Sequence, residues 1–251
     1  MIKGIYAAFN AMQAAWKYQD SLANNIANAG TAGFKREVGA QQAFADVLLS
    51  QRTPIPAPFA ARVEAVVGQI GTGTFLAELA TDFTNGEFQP TQGEFDFALD
   101  DGFFAVQDDS GQVFYTRAGR FGRDAAGDLV TSSGHRVLDA DGVPIYLPPG
   151  TVQTALDGTI SVAGQDVARL GVFDFTPNQL VRAGEAHFTS ATPGTLVQGG
   201  VRQGFIEGSN SQVGEELTTM LAITRTFQAN QTVLARLDAS LQQAASELGE
   251  L

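Results

Sequence analysis

Residues 103–162 read FFAVQDDSGQVFYTRAGRFGRDAAGDLVTSSGHRVLDADGVPIYLPPGTVQTALDGTISV, and turn chemistry interrupts them at even intervals. Asp109-Ser110-Gly111, Ala126-Gly127-Asp128, Asp141-Gly142 and Asp157-Gly158 are turn signals, with their glycines 16, 15 and 16 residues apart. Between them lie strand-like runs at 103–106, 113–116, 128–131 and 159–162, and 170–175 adds another. Regular turns between short apolar runs predict antiparallel hairpins in a compact β domain over 76–207. No β-helix-β rhythm of a parallel sheet is present.

On both sides of this middle the period changes from two to that of a helix. Ile5, Phe9, Met12, Trp16, Gln19, Ala23 and Ile26 recur at spacings of four and three, and Leu22 widens the stripe. Asn28-Ala29-Gly30 then supplies a stop signal. Near the other end Val213, Met220, Phe227, Leu234, Leu241 and Leu248 are spaced by seven, flanked by Leu217, Leu221, Ile223 and Leu237. Ser209, Asn210 and Ser211 offer capping oxygens, and Glu215 and Glu216 suit the positive end of the helix dipole. This predicts one helix over about 212–248, roughly 50 Å long.

The expected fold class is mainly β with terminal α: an antiparallel β-rich central domain, with N- and C-terminal helices pairing in a coiled-coil-like layer. The expected domains are an N-terminal helical segment at 1–36, an extended linker at 37–75, the β domain at 76–207, and a C-terminal helix at 208–251. The linker assignment rests on Pro54, Pro56 and Pro58. Neither helix has a core of its own. Burying six large seam residues contributes on the order of 10 kcal/mol, so the stripes need each other, the β body or other chains.

Composition closes several routes. The chain of 251 residues carries a formal charge of −12 and no cysteine, so disulfides, thiolate metal sites and thiol catalysis are out. Between Arg62 and Arg117 there is no Lys or Arg but there are ten acids, the wrong sign for nucleic acid or an anionic membrane surface. No apolar run is long enough to span a bilayer, and the first twenty residues do not read as a secretory signal. The two histidines, His135 and His187, stand apart without a ligand at metal spacing. Asp139-Ala140-Asp141-Gly142 fails as a calcium loop because position twelve is Gly150. Gly71-Thr72-Gly73 lacks the third glycine of a dinucleotide fingerprint. Asp100-Asp101 and Asp108-Asp109 could in principle pair as acid and base for glycoside hydrolysis, but adjacent acids at turns read as solvated. No cofactor, metal or catalytic residue is expected.

Two motifs are more specific. Asn24-Asn25-Ile26-Ala27-Asn28 followed by Gly33-Phe34-Lys35-Arg36 resembles the N-terminal motif of flagellar rod and hook proteins. Gly204-Phe205-Ile206-Glu207-Gly208-Ser209-Asn210, leading into Glu215-Glu216, Met220, Arg225-Thr226-Phe227 and Asn230, resembles their C-terminal motif. GFFAVQ, YTRAGRF and GDLVTSSGHRVL match in the middle, so the resemblance covers most of the chain. It points to the flagellar basal-body rod family of the FlgF and FlgG type. The QIGTGT run, Gln69 to Thr74, tilts toward the distal-rod FlgG type.

The resemblance implies a non-enzymatic structural subunit that transmits torque in the rod, located outside the cytoplasmic membrane. The implied partners are copies of itself, other rod or hook subunits and the flagellar type III export apparatus. It also implies that the terminal helices order together as the inner layer of a tube. Asn24, Asn25 and Asn28 are expected to hydrogen-bond backbone or neighbouring amides where the helix ends, Gly33 to take a positive φ, and Phe34 to anchor in an apolar pocket. A hook-type subunit, and a self-contained β-rich binding module or hydrolase, remain as alternatives.

Overall fold

The computed structural model describes residues 2–39, 41–43, 47–54, 62–70, 74–76, 79–184 and 186–249. Helix α1 spans Ile2–Ala27 and helix α2 spans Val213–Gly249. Every defined sheet register between them is antiparallel. Two compact units result. One comprises Met1–Ala23, Val38–Ala80 and Leu217–Leu251, and the other Asn24–Glu37 and Thr81–Glu216.

The second unit is the turn-rich body. Its hairpins share one turn device. At 108–112, 124–128, 131–135 and 139–143 the first residue's N–H donates to the carbonyl four residues on, and the fourth residue, a glycine, donates back to the first residue's carbonyl. The first residue is Asp108, Asp124, Thr131 or Asp139, and its side-chain oxygen accepts backbone N–H groups inside the turn. The returning glycine needs φ near +90°, which Gly111, Gly127, Gly134 and Gly142 adopt at 88°, 100°, 87° and 81°. Asp or Thr followed three residues later by Gly therefore fixes hairpin after hairpin by local chemistry.

These hairpins assemble, among the described residues, into a nine-stranded sheet around strand Phe103–Gln107. That strand pairs Val113–Thr116 along one edge and shares its other edge between Arg136–Val137 and Val172–Asp174. Alternation along it separates two cores. Phe104 and Val106 enter the main cluster with Leu129, Ile145, Ile160 and Val172, while Phe103 meets Phe175 and Phe188 in a second cluster. Close approach is enforced at Gly119, where a Cβ would lie 1.7 Å from the Phe97 carbonyl oxygen.

The first unit holds the helices and a ribbon. Residues 37–75, expected as an extended linker, carry strands instead. Gln41–Ala43 pairs Thr74–Leu76, and Val47–Pro54 pairs Arg62–Ile70. The run RVEAVVGQI at 62–70 is rich in β-branched residues, which favour a pleated ladder, and Pro54 sits at the strand end, where a missing N–H costs least. Pro56 and Pro58, and the middle of the QIGTGT run, lie outside the described residues.

The two helices touch. Gln19 Nε2 donates to Thr224 Oγ1 at 2.7 Å, and a Cβ on Gly4 would sit 3.4 Å from Leu237 Cδ1. Residue numbers rise along one helix as they fall along the other, so the pair is antiparallel. On α2 the half-buried positions include 220, 223, 227, 230, 234, 237, 241 and 244, alternating by three and four. On α1 the matching row is 5, 8, 12, 15, 19 and 22, not the predicted 5, 9, 12, 16, 19 and 23. Both rows have the same period, so periodicity alone cannot choose between them. The folded chain turns the small side chains Ala8 and Ala15 inward with Leu22. Phe9 and Trp16, predicted in the seam, stand out at 55% and 58% exposure, and Ala23 is exposed too.

Candidate functional site

Two features stand out: a polar knot where the motifs near the two ends of the chain meet, and an exposed apolar face on α1.

The knot is centred on Glu207, from the strand Phe205–Glu207, which pairs with Phe88–Pro90. Lys35 Nζ lies 2.6 Å from Glu207 Oε1, with both side chains fully buried. Arg117 NH1 lies 3.1 Å from Oε2 and also donates to the Leu99 carbonyl at 3.2 Å. Lys35 Nζ donates to the Thr84 carbonyl at 2.8 Å, and the Gly86 N–H donates to Glu207 Oε1 at 2.9 Å. Arg117 also lies over the Phe103 ring, 5.0 Å from its centroid. Two cations thus share one carboxylate away from water. Burial pulls the Lys35 ammonium below the ordinary lysine value, with Glu207 opposing the shift.

Around this triad the motif residues tie backbone to backbone. Asn25 Nδ2 donates to the Glu37 carbonyl at 2.9 Å while its Oδ1 accepts the Glu37 N–H at 3.0 Å, the pattern of a strand partner. Asn28 Nδ2 donates to the Asn24 carbonyl at 3.0 Å, and its Oδ1 accepts from Thr31 Oγ1 at 3.1 Å. Asn24 is itself exposed and Ile26 half-buried. Gly33 has φ of +68°, and its N–H donates to the Glu207 carbonyl at 2.8 Å. Phe34 is fully buried, with the Arg182 guanidinium 5.1 Å from its ring centroid. Arg182 also pairs with Glu37 at 2.9 Å and donates to the Lys35 carbonyl.

Asn210, expected to cap α2, does something else. Its Oδ1 accepts the Arg36 N–H at 2.8 Å and its Nδ2 donates to the Asp82 carbonyl at 2.8 Å. Ser209 Oγ accepts the Ser211 N–H at 3.1 Å, and the first turn of α2 starts from the Gln212 carbonyl, which accepts from Glu216 N–H. The reason is competition: chain crossing beside the helix start leaves backbone groups at 36 and 82 in need of partners, and Asn210 reaches both.

Gly33 combines a positive φ with a close approach. A Cβ there would stand 2.2 Å from the Arg117 carbonyl carbon, in a backbone conformation that costs L-residues about 1–2 kcal/mol by itself. Gly33→Ala is therefore expected to destabilise the body by about 3 kcal/mol or more. An unchanged urea midpoint would refute this reading of the crossing.

Asp82 gives the knot a pH dependence. Burial pushes its carboxyl upward, but bonds from Thr84 Oγ1, the Thr84 N–H and Arg36 outweigh that and hold it below the usual value of 3.8. A depressed folded-state value means stability present above pH 3.8 and lost as pH falls through the lower value. Asp82→Asn is therefore expected to be less stable than the parent at pH 6, with the gap narrowing as pH falls below 3.8, as read by urea titrations. A gap that stays constant with pH would show that ionisation of Asp82 contributes nothing.

The second feature lies on α1. Positions 6, 9, 13, 16, 20 and 23 are exposed, and this row carries Tyr6, Phe9 and Trp16 at 65%, 55% and 58% exposure. On α2, Val213, Leu217 and Leu221 are 44%, 46% and 62% exposed. Of the other predicted seam residues, Ile5, Met12, Met220, Phe227, Leu234 and Leu241 are half-buried, and the Leu248 side chain lies outside the described residues.

The predicted set therefore divides. Asn25, Asn28, Gly33, Phe34 and Asn210 lie inside the subunit, whereas Phe9, Trp16, Val213 and Leu217 face outward. Lys35, Arg117 and Glu207 were missed as a group, although each stood inside a quoted motif. The available signal was a charged residue set within aromatic or aliphatic runs, as in GFKR, YTRAGRF and GFIEG.

Comparison with known proteins gives the family. Residues 5–35 match the family described as flagella basal body rod protein, and residues 202–247 match the flagellar basal body rod FlgEFG protein C-terminal region. Residues 100–165 match the flagellar hook protein FlgE/F/G D1 domain. The flagellar basal-body rod protein FlgF of Mesorhizobium japonicum is 32% identical over 99% of both chains. The flagellar hook-basal body complex protein FlhO of Bacillus subtilis is 30% identical over 100% of both. The rod protein FlgG of the same bacterium is 29% identical over 97% of this chain and 98% of its own. With both ends, the middle and full-length relatives in agreement, the chain belongs to the flagellar basal-body rod protein family, a family of structural subunits and not of enzymes.

Proposed function

We propose that this chain polymerises with copies of itself and with neighbouring rod and hook subunits through α1 and α2, and that the polymer transmits torque from motor to hook. The observation that carries the reading is the exposed row Tyr6, Phe9 and Trp16 on α1. A helix that already turns one seam-spaced row toward a partner helix, yet presents large aromatics on the next, is built for more than one neighbour. Full burial of such side chains yields about 1.5–3 kcal/mol each, so these three, already partly covered, contribute about 3–5 kcal/mol per subunit in a coiled-coil-like layer. Contacts that run head to tail without closing give a filament.

In this reading the chain passes through the type III export apparatus and lies in the basal body outside the cytoplasmic membrane, in the periplasm where an outer membrane exists. Helices whose outer faces lack partners until neighbours arrive couple ordering to assembly. Relatives named FlgF and FlgG match at 32% and 29% over nearly the whole chain. The QIGTGT run at 69–74 tilts the assignment to the distal, FlgG-like position. Deleting the chain from its native cell is expected to abolish swimming and truncate the basal body, with both restored by the parent sequence. Intact rods and normal swimming in the deletion strain would overturn the reading.

A further inference from the structure

The sequence holds a single Asn-Gly pair, Asn85-Gly86, just ahead of strand Phe88–Pro90. An asparagine followed by glycine is the dipeptide most open to self-modification, because no side chain hinders the glycine nitrogen on its way to the asparagine amide. Thr84, Asn85 and Glu87 are exposed, so water reaches this segment. The fold nevertheless ties down both reacting groups. The Gly86 N–H donates to Glu207 Oε1 at 2.9 Å, and Asn85 Nδ2 donates to the Asp100 carbonyl at 2.9 Å. The backbone on either side is held as well. The Thr84 carbonyl accepts from Lys35 Nζ at 2.8 Å and from Asn210 Nδ2 at 3.1 Å, and the Glu87 carbonyl accepts the Gly208 N–H at 2.9 Å. A Cβ on Gly86 would stand 2.0 Å from the Gly208 carbonyl oxygen, so nothing can be added on that side.

We propose that Asn85-Gly86 is a deamidation site that the buried charge knot holds closed, and that it reacts only when the 84–87 segment lifts off Glu207. In the open chain the Gly86 nitrogen bonds to Asn85 Cγ, its proton passes to the departing side-chain nitrogen, and ammonia leaves behind a five-membered imide. Water then adds to either imide carbonyl, giving aspartate or isoaspartate at position 85. In the folded chain the Gly86 N–H is bonded to a carboxylate that also holds Lys35 and Arg117, and that bond must break before the nitrogen can turn toward Cγ. The products also differ from the parent in whether the knot can re-form. Isoaspartate lengthens the main chain by one carbon directly before Gly86, where the Gly208 backbone leaves no room, and carries the Gly86 N–H off Glu207. Aspartate loses the donor to the Asp100 carbonyl. Modification is thus open to an unfolded subunit and obstructs its refolding, a limit on unfolded lifetime that matters in the cell only if the export reading above holds.

The full-length chain is incubated in mildly alkaline buffer, folded or unfolded in guanidinium, and position 85 is followed by peptide mass spectrometry and isoaspartyl methylation. Asn85 should be the fastest-modified asparagine of the unfolded chain and react about tenfold or more slowly in the folded one, because only the opened population is attacked. Sub-denaturing guanidinium should raise Asn85 modification and hydrogen exchange of the Gly86 amide by the same factor, since both need the same opening. Lys35→Met, which removes one bond to the Thr84 carbonyl, should raise both together, and the parent's own denaturant series makes the same test without a variant. Equal rates in folded and unfolded chain, or modification that ignores a rise in Gly86 exchange, would overturn the guard. A folded rate above the unfolded one would show Glu207 taking the proton and would overturn it too. After ageing in guanidinium and dilution, isoaspartate-85 chains should be depleted about tenfold from the refolded fraction. Equal recovery of both forms would overturn the obstruction to refolding. None of these measurements involves a polymer or an export apparatus, so their failure leaves the rod reading standing.

Discussion

Replacing Glu207 by alanine is expected to cost about 3–5 kcal/mol of stability, and replacing Lys35 by methionine distinctly less. The asymmetry follows from counting charges. Glu207 is the one carboxylate bonded to both Lys35 and Arg117, and all three side chains are buried or nearly so. Without it two like charges face each other away from water. Without Lys35 the remainder is a neutral Arg117–Glu207 pair, and the methionine fills much of the vacated space with an apolar chain. For a chain of 251 residues, a loss of this size lowers the melting temperature of the body by about 10 °C. Urea unfolding of the two single variants reads the order directly. If Lys35→Met proved as damaging as Glu207→Ala, the knot would be held by packing around the lysine stem and not by its charge balance.

Replacing Phe9 and Trp16 together by aspartate should do the reverse: little to the isolated subunit, and everything to the assembly. Both side chains are more than half exposed on a helix whose inward row is made by other residues. The expected change in monomer stability is within about 0.5 kcal/mol, the usual range for surface positions. In the polymer the same change would place two charges in a dry helix layer, at several kcal/mol per subunit, and a strain carrying only this variant should not swim. Trp16 is the chain's single tryptophan, so its fluorescence supplies a second readout. Emission should be that of a water-exposed indole in dilute solution and should move to shorter wavelength as the parent polymerises. Swimming by the double variant, or a blue emission already present in the monomer, would assign the contact to another face.

The residues that speak clearly in the sequence are those whose chemistry is local. The turns of the body were legible because Asp108, Asp124 and Asp139, each with a glycine three residues on, close hairpins with their own backbone groups. Both ends of α2 and the C-terminal end of α1 were legible to within a residue or so, whereas the stripe read from Ile5 missed the start of α1 at Ile2. The ribbon over 47–70 was not, because prolines dominate a short reading while ladder formation depends on the partner strand. Nor was the seam on α1 legible. Rows 5-9-12-16 and 5-8-12-15 share a period, and only the helix packed alongside selects Ala8 and Ala15 over Phe9 and Trp16.

The motif residues show the same boundary from the other side. The sequence by itself determined that Gly33, Phe34, Asn25 and Asn210 belong to a conformationally special place, because those residue types announce a positive φ, an anchoring ring and side-chain amides that match backbone. Only the tertiary structure decided that they serve the inside of the subunit, tying 25, 33–37, 82–86, 117 and 207–210 together. It also decided that Lys35, Arg117 and Glu207 form one buried charge group. The physical reason is separation along the chain. Backbone preference acts within a few residues, whereas Glu207 meets its cations across 172 and 90 residues. No local pattern encodes which distant charge will share its burial.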